Sequence, residues 1–244
     1  MKRLFADLHL GLNVKDPASA LRIINRAATL GYRLIAASFL PEICEDERVK
    51  LQSMCSEAEI DLASRVDLKP RTQWDLTHQL RRLRRRYEII AVTCEDKEVA
   101  RQAAKDHRVD LLNFPSLDYR RRFFDSAEAE LASGSLAALE VDIRPLLVLE
   151  GPARVRLLSS LRREAALARD FHVPIVVSSG ASNERLLRRP RELAALSYLF
   201  GLNEAQALET VSGNPVSIVE RNRQKLSPDF VAPGIRIIKR GKDS

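Results

Sequence analysis

The sequence predicts an α/β fold, a TIM-like (β/α) barrel that is closed or nearly closed and carries extra C-terminal helices. Short runs of aliphatic and β-branched residues alternate with longer amphipathic segments, a pattern typical of a parallel sheet with right-handed crossovers. At least seven βα units fit within 244 residues, which favours a closed barrel. An open doubly wound sheet is the alternative, because it shows the same alternation of strands and helices.

The predicted strands are short and cover residues 4–8, 34–38, 60–68, 89–93, 109–114, 136–143 and 174–178. Helices are predicted from apolar spacing and from end signals, such as Asp16 before Pro17 and Gly31 after the last turn of the first helix. They cover residues 17–30, 45–59, 74–86, 96–106, 126–132, 151–171, 190–200, 203–212 and 215–225. We expect residues 1–228 to form a single barrel domain, followed by a basic C-terminal tail over residues 229–244.

The composition is basic and rich in arginine. The formal net charge is +7, and of the 40 basic residues only nine are lysines. Fixed positive charge raises the affinity for polyanions, and arginine binds phosphate through two parallel hydrogen bonds. Nucleic acid is therefore the predicted partner, although a general preference for arginine over lysine would explain the arginine bias as well.

The cysteines and the hydropathy indicate a cytoplasmic protein. Cys44, Cys55 and Cys94 lack CxxC spacing, and we interpret them as buried apolar residues in a reducing compartment. No apolar run approaches the ~20 residues of a membrane helix. The first residues become acidic at Asp7, too early for a signal peptide. We expect no membrane partner.

Asp7 and His9 end the first predicted strand, where the polar residues of a parallel barrel face its mouth. Barrel metallohydrolases place a His-x-His pair there, but Asp7 stands in the first position. The other histidines, His78, His107 and His172, lie in or beside predicted helices. We therefore expect no metal site and no catalytic residue, and an Asp/His pair that orders the barrel mouth.

A second candidate is the turn formed by Ser178, Ser179 and Gly180 after an apolar strand. Such a turn can bind a phosphate through backbone N–H groups, although it lacks the lysine of a P-loop. A plain strand-ending turn is the alternative interpretation.

Clusters of arginines supply the candidates for RNA binding. One cluster lies at a helix C-terminus, where cations are also favoured by the helix dipole and by solvent exposure. The others lie in or near predicted loops, where they could form a basic rim. The RNA-binding candidates are Arg71, Arg84, Arg85, Arg120, Arg121, Arg122, Arg185, Arg188 and Arg189.

Several short motifs together resemble one family, protein component 3 of archaeal and eukaryal ribonuclease P. They occur in the family's order, with the most specific ones in the C-terminal third: Phe5-Ala6-Asp7-Leu8-His9, Val177-Ser178-Ser179-Gly180-Ala181, Arg188-Arg189-Pro190-Arg191-Glu192-Leu193, Gly201-Leu202 and Asn214-Pro215.

The resemblance implies a barrel related to the PHP fold without a complete metal site. It also implies a subunit of a ribonucleoprotein that cleaves precursor tRNA to generate mature 5′ ends. The implied partners are the catalytic RNA, a small ferredoxin-like protein subunit, other protein subunits and, through the complex, precursor tRNA. The implied cofactor is magnesium on the RNA, with none in this chain. A free-standing metal-dependent phosphoesterase of PHP type is the alternative function.

Overall fold

A computed structural model describes residues 3–39, 45–114, 122–232 and 235–236, and its centre is one seven-stranded sheet. The strands are β1 (Ala6–Leu10), β2 (Leu34–Phe39), β3 (Asp61–Leu68), β4 (Ile89–Thr93), β5 (Leu111–Asn113), β6 (Ala138–Asp142) and β7 (Ile175–Ser178). They follow one another in sequence order, and every neighbouring pair is parallel.

The sheet returns to its own first strand. Leu10 at the end of β1 forms a parallel bridge with Ala181, which follows β7, and the Gly11 N–H donates to the Ala181 carbonyl over 2.9 Å. The barrel is therefore nearly closed. The predicted TIM-like fold is confirmed, and the open doubly wound sheet is wrong.

Helices surround the barrel and continue beyond it: α1 (Pro17–Leu30), α2 (Glu45–Glu57), α3 (Gln73–Leu83), α4 (Lys97–Lys105), α5 (Ser126–Ser135), α6 (Arg144–Val148), α7 (Gly151–Asp170), α8 (Pro190–Leu196), α9 (Glu204–Thr210) and α10 (Gly213–Leu226). As expected, Asp16 caps α1 by accepting from the Ser19 N–H, and Gly31 ends it with φ of 100°. Some details were not predicted. The short helix α6 follows β6, and the predicted helix over residues 190–200 changes after Leu196 into a 3₁₀ turn, Ser197–Phe200.

The barrel interior is apolar towards the N-terminal ends of the strands. Alternate strand residues point inwards, and those of the lower layers are small or aliphatic: Ala6, Leu8, Leu34, Ala36, Ala63, Ile89, Ala91, Leu111, Ala138 and Val176. Helix α10 closes this end, because Ile218 and Val219 pack against the same cluster and Asn222 donates to the Glu88 carbonyl over 2.7 Å. The larger apolar cluster lies between the strands and the outer helices.

The beginning of the predicted tail is ordered. β8 (Phe230–Ala232) pairs antiparallel with β9 (Ile235–Arg236), and β8 contacts α10. Cys55 and Cys94 are buried free thiols, whereas Cys44 lies outside the described residues. Among the helices of the described ranges, none is long and apolar enough to cross a membrane.

Candidate functional site at the barrel mouth and on the arginine surface

The C-terminal ends of the strands change the barrel interior from apolar to polar, and Arg65 of β3 lies at the centre of this layer. Its side chain is fully buried. Its Nη2 donates to Glu140 Oε2 and to Asp67 Oδ1, each over 2.7 Å, and its Nε donates to Asp67 Oδ1 over 2.9 Å. Its Nη1 donates to the Leu8 carbonyl and to Glu140 Oε1. Burial lowers the pKa of Arg65, but Glu140 and Asp67 raise it well above its usual value, so the barrel mouth contains a permanent cation.

Glu140 of β6 is the main counter-ion of Arg65, and its carboxylate accepts four hydrogen bonds. Besides the two from Arg65, Oε1 accepts from Ser178 Oγ over 2.9 Å and Oε2 accepts from Asn113 Nδ2 over 3.0 Å. An ionised carboxylate is costly to bury unless it is paired with a cation and hydrogen-bonded in this way. The side chains of β3, β5, β6 and β7 are thereby joined across the barrel.

His9 extends this network towards the solvent. Its Nδ1 lies 2.8 Å from Asp142 Oδ1, and its Nε2 lies 3.9 Å from Asp67 Oδ2. Burial and the charge of Arg65 lower the pKa of His9, but the carboxylates of Asp142 and Glu140 outweigh them and raise it to about 9. At neutral pH His9 is therefore a second cation in the mouth.

Asp7 does not pair with the His9 ring. Its Oδ1 accepts from the backbone N–H groups of Ser179, over 3.1 Å, and of His9, over 3.2 Å. Burial raises the pKa of Asp7 to about 6, although these hydrogen bonds oppose the shift. The expected role of an Asp/His pair is therefore divided. Asp7 orders the backbone after β7, and Asp142 positions the ring of His9.

Three groups in the described part of the chain are close enough to hold a metal ion. His9, Glu140 and Asp142 each offer a ligand atom, and these atoms lie within 4.8 Å of one another. However, both Glu140 oxygens already accept from Arg65, and the fixed charge of Arg65 repels a divalent ion that would bind the same carboxylate. This arrangement favours the prediction of a metal-free chain, which stays a prediction. Of this set, only His9 was a candidate from the sequence. The charged residues at the inward-facing ends of the predicted strands were the signal that pointed to Glu140 and Asp142.

The serine turn is largely used by the protein itself. Ser178 Oγ donates to Glu140, the Ser179 N–H donates to Asp7, and Ser179 Oγ accepts from the Ala181 N–H over 3.1 Å. Gly180 has φ of 62°, and a Cβ there would lie 3.3 Å from the Asp142 side chain. The contacts support the strand-ending turn rather than the candidate phosphate site.

Two of the predicted RNA-binding arginines have interior partners. Arg122 is almost completely buried, and its guanidinium pairs with both oxygens of the buried Glu164. Arg84 forms a salt bridge with the buried Asp110 and donates to the carbonyls of Tyr87, Glu88 and Arg108. As a correction, we assign both to folding, because Arg122 neutralises the buried Glu164 and Arg84, together with Arg221, neutralises the buried Asp110.

The other candidate arginines remain predictions. Arg71, Arg85, Arg185 and Arg189 are exposed, and Arg188 is half-buried with its guanidinium on the carbonyls of Arg185 and Leu187. Arg120 and Arg121 lie outside the described residues. Of the other histidines, His78 lies in α3 and stacks on Trp74, whereas His107 and His172 follow α4 and α7.

Fold and site together define a TIM-like barrel protein whose mouth holds a network of its own arginine, histidine and carboxylate groups. The chain belongs to the RNase P subunit p30 family, whose model matches residues 5–227. It is 33% identical to Ribonuclease P protein component 3 of Methanosarcina barkeri, over 95% of this chain and 92% of that protein. The predicted family resemblance is confirmed.

Solved structures agree with the fold. A chain of the archaeal ribonuclease P determined by cryo-EM with mature tRNA has a TM-score of 0.84 at 24% identity, covering 98% of this chain and 100% of that one. An organophosphorus hydrolase mutant from Deinococcus radiodurans has a TM-score of 0.52 at 10% identity, covering 89% and 92%. At these identities the likeness concerns the barrel fold alone.

Proposed function

We propose that this chain is a protein subunit of ribonuclease P, the ribonucleoprotein that removes the 5′ leader from precursor tRNA. The observation that carries the proposal is the family match, which spans residues 5–227 and so covers the whole barrel. The net charge of +7 supports it, because a basic protein lowers the repulsion between RNA phosphates that approach one another.

The role of the chain is to bind and stabilise the catalytic RNA together with a small ferredoxin-like protein subunit. Hydrolysis of a phosphodiester needs an activated water and stabilisation of the developing negative charge. The barrel mouth is poorly suited to this, because Arg65 and Asn113 saturate Glu140 and His9 is paired with Asp142. The chemistry therefore belongs to magnesium ions on the RNA.

Reconstitution on precursor tRNA tests the proposal. The protein alone should be inert, the RNA alone weak at moderate magnesium, and the RNA with this chain and its small partner active at the mature 5′ end. His9→Ala should leave the assembled activity intact if the protein folds. Specific 5′ cleavage by RNA-free protein, abolished by His9→Ala, would instead establish the metal-dependent phosphoesterase. Failure of the wild-type chain to raise the activity of the RNA would refute the subunit role.

A further inference from the structure

A pocket of about 510 Å³ lies at the N-terminal end of the barrel, opposite the mouth. It forms where the chain enters β1, where α1 turns into β2, and where α8 begins. Its lining consists of four arginines and an apolar floor: Arg3, Arg33, Arg189 and Arg191 with Leu4, Phe5, Leu30, Gly31 and Pro190. We call it the arginine pocket.

The charge of the arginine pocket is poorly neutralised. Arg3 pairs with Glu209 over 3.1 Å. Arg33 donates to the backbone carbonyls of Ala28 and Tyr32, and within the described residues no carboxylate forms a salt bridge with Arg33, Arg189 or Arg191. Of the lining residues that the structure describes, the four arginines are also the only ionisable ones, so this lining carries no negative charge of its own. Guanidinium groups gathered in this way repel one another until an anion lies between them.

The backbone that carries these arginines is held in place. The buried Tyr32, next to Arg33, donates its hydroxyl to the Arg188 carbonyl over 3.0 Å, which ties the start of β2 to the segment before α8. The Arg189 N–H donates to Glu192 over 3.1 Å, and Pro190 is buried. A preformed arrangement loses less entropy when it binds a ligand.

The lining indicates the chemistry of the ligand. Arginine forks bind phosphate oxygens through paired hydrogen bonds, and Leu4, which is 43% exposed, offers apolar surface beside them. A ribose or base can pack on the floor formed by Leu4, Phe5 and Pro190 while the flanking phosphates contact the guanidinium groups. A nucleic acid chain offers an anion and a ring at every nucleotide, whereas in an acidic peptide the charges and the apolar groups belong to different residues.

We infer that the arginine pocket binds a phosphodiester segment of the RNA, and that the N-terminal end of the barrel faces the RNA. The inference rests on the proposed function and adds a site to it. Arg3 and Arg33 were not among the residues that the sequence indicated. The network inside the barrel mouth, whose charges are mutually paired, is not part of this site.

The test compares two triple variants of the full chain in the reconstituted complex with the catalytic RNA. Arg33→Ala/Arg189→Ala/Arg191→Ala empties the pocket of its unpaired cations. The matched control changes three exposed arginines on α1, α3 and α7 that do not line the pocket: Arg26→Ala, Arg82→Ala and Arg163→Ala. Both variants lose the same net charge, and both should keep the wild-type melting temperature.

The pocket variant should bind the RNA roughly tenfold more weakly or worse than the control, because charge-assisted contacts are lost. The slope of log K against log salt should flatten by about 2–3, the value for three phosphate contacts. Ultraviolet cross-linking of the wild-type complex should place nucleotide adducts on residues 3–5, 33 or 189–191.

Three other outcomes would overturn the inference. The first is equal affinity and equal salt slope in the pocket and control variants. The second is a set of cross-links that all fall outside residues 3–5, 33 and 189–191. The third is a pocket variant that keeps RNA affinity but loses a protein subunit, which would assign the pocket to an acidic protein segment. If the wild-type chain itself neither binds the RNA nor raises its activity, the proposed function fails as well, so the two failures are distinguishable.

Discussion

Replacing Arg65 by methionine tests whether this guanidinium is the resident cation of the barrel. Methionine preserves much of the side-chain length but removes the charge and five hydrogen bonds. Glu140, whose side chain is fully buried, would then lose its counter-ion. Breaking a buried ion pair by removing one partner costs about 3–5 kcal/mol, a large part of the roughly 5–15 kcal/mol that stabilises a typical domain.

The loss is measured by chemical denaturation and by the melting temperature, which should fall by roughly 6–20 °C for a domain of this size. The double variant Arg65→Met/Glu140→Gln removes both charges and should recover part of the loss, since the penalty of an unpaired carboxylate disappears. Arg81→Met, on the exposed face of α3, is the control and should change stability by no more than about 0.5 kcal/mol.

Two results would refute the reasoning about Arg65. One is that Arg65→Met has the same free energy of unfolding as the wild type, with an unchanged dependence of that free energy on denaturant concentration. The other concerns metal binding. With Arg65 removed, zinc no longer competes with the guanidinium for the carboxylates of Glu140 and Asp142 and needs to displace only the proton of His9, so zinc should raise the melting temperature of the variant more than that of the wild type. Equal zinc binding by both proteins would show that Arg65 does not exclude metal.

The remaining predictions concern pH, a second ion pair and backbone strain. The pKa of His9, about 9, lies above the ordinary value of 6.5, so the stabilisation that protonated His9 contributes is complete below pH 6.5 and is lost as pH rises through 9. The difference in unfolding free energy between wild type and His9→Gln should therefore shrink across this range. A pKa of His9 at or below 6.5, measured by NMR, would contradict this prediction. Arg122→Met should lower the free energy of unfolding, measured by chemical denaturation, by about 3–5 kcal/mol. The control Arg185→Met, at an exposed position, should lower it by no more than about 0.5 kcal/mol. Equal losses in the two variants would disprove the assignment of Arg122 to folding. Gly180→Ala should lower the unfolding free energy by about 1–2 kcal/mol, because the φ of Gly180 is positive. Gly134→Ala inside α5, where a Cβ meets open space, should raise the unfolding free energy by about 0.5–1 kcal/mol. A higher melting temperature for Gly180→Ala than for Gly134→Ala would refute the reasoning about backbone strain.

Local signals predicted the order and type of most elements. Strand β4 has the predicted limits, Ile89–Thr93, because a short apolar run is bounded by polar residues on both sides. The first strand was placed two residues too early. Leu4 and Phe5 are apolar and line the arginine pocket ahead of β1, and the Phe5 carbonyl accepts from the N–H of Leu34 at the start of β2. The 3₁₀ turn after α8 was missed because the apolar spacing continues through it while the packing changes.

The composition predicted a basic, arginine-rich surface but not which arginines belong to it. Arg84 and Arg122 occur in the same kind of cluster as Arg85 and have the same local charge. Their burial depends on Asp110 and Glu164, which lie 26 and 42 residues further along the chain. Neither carboxylate has a local sequence signal that marks it as a partner.

Periodicity, end signals and composition are local or additive properties of the sequence, so they were enough to predict the barrel class, the succession of strands and helices, and the positive charge. The polar centre and the arginine pocket depend on tertiary packing. Barrel closure brings Glu140 to Arg65 across 75 residues and Asp142 to His9 across 133. Whether an arginine is a structural ion or a free binding group depends on the carboxylates that the fold places beside it, and chain spacing does not encode those distances.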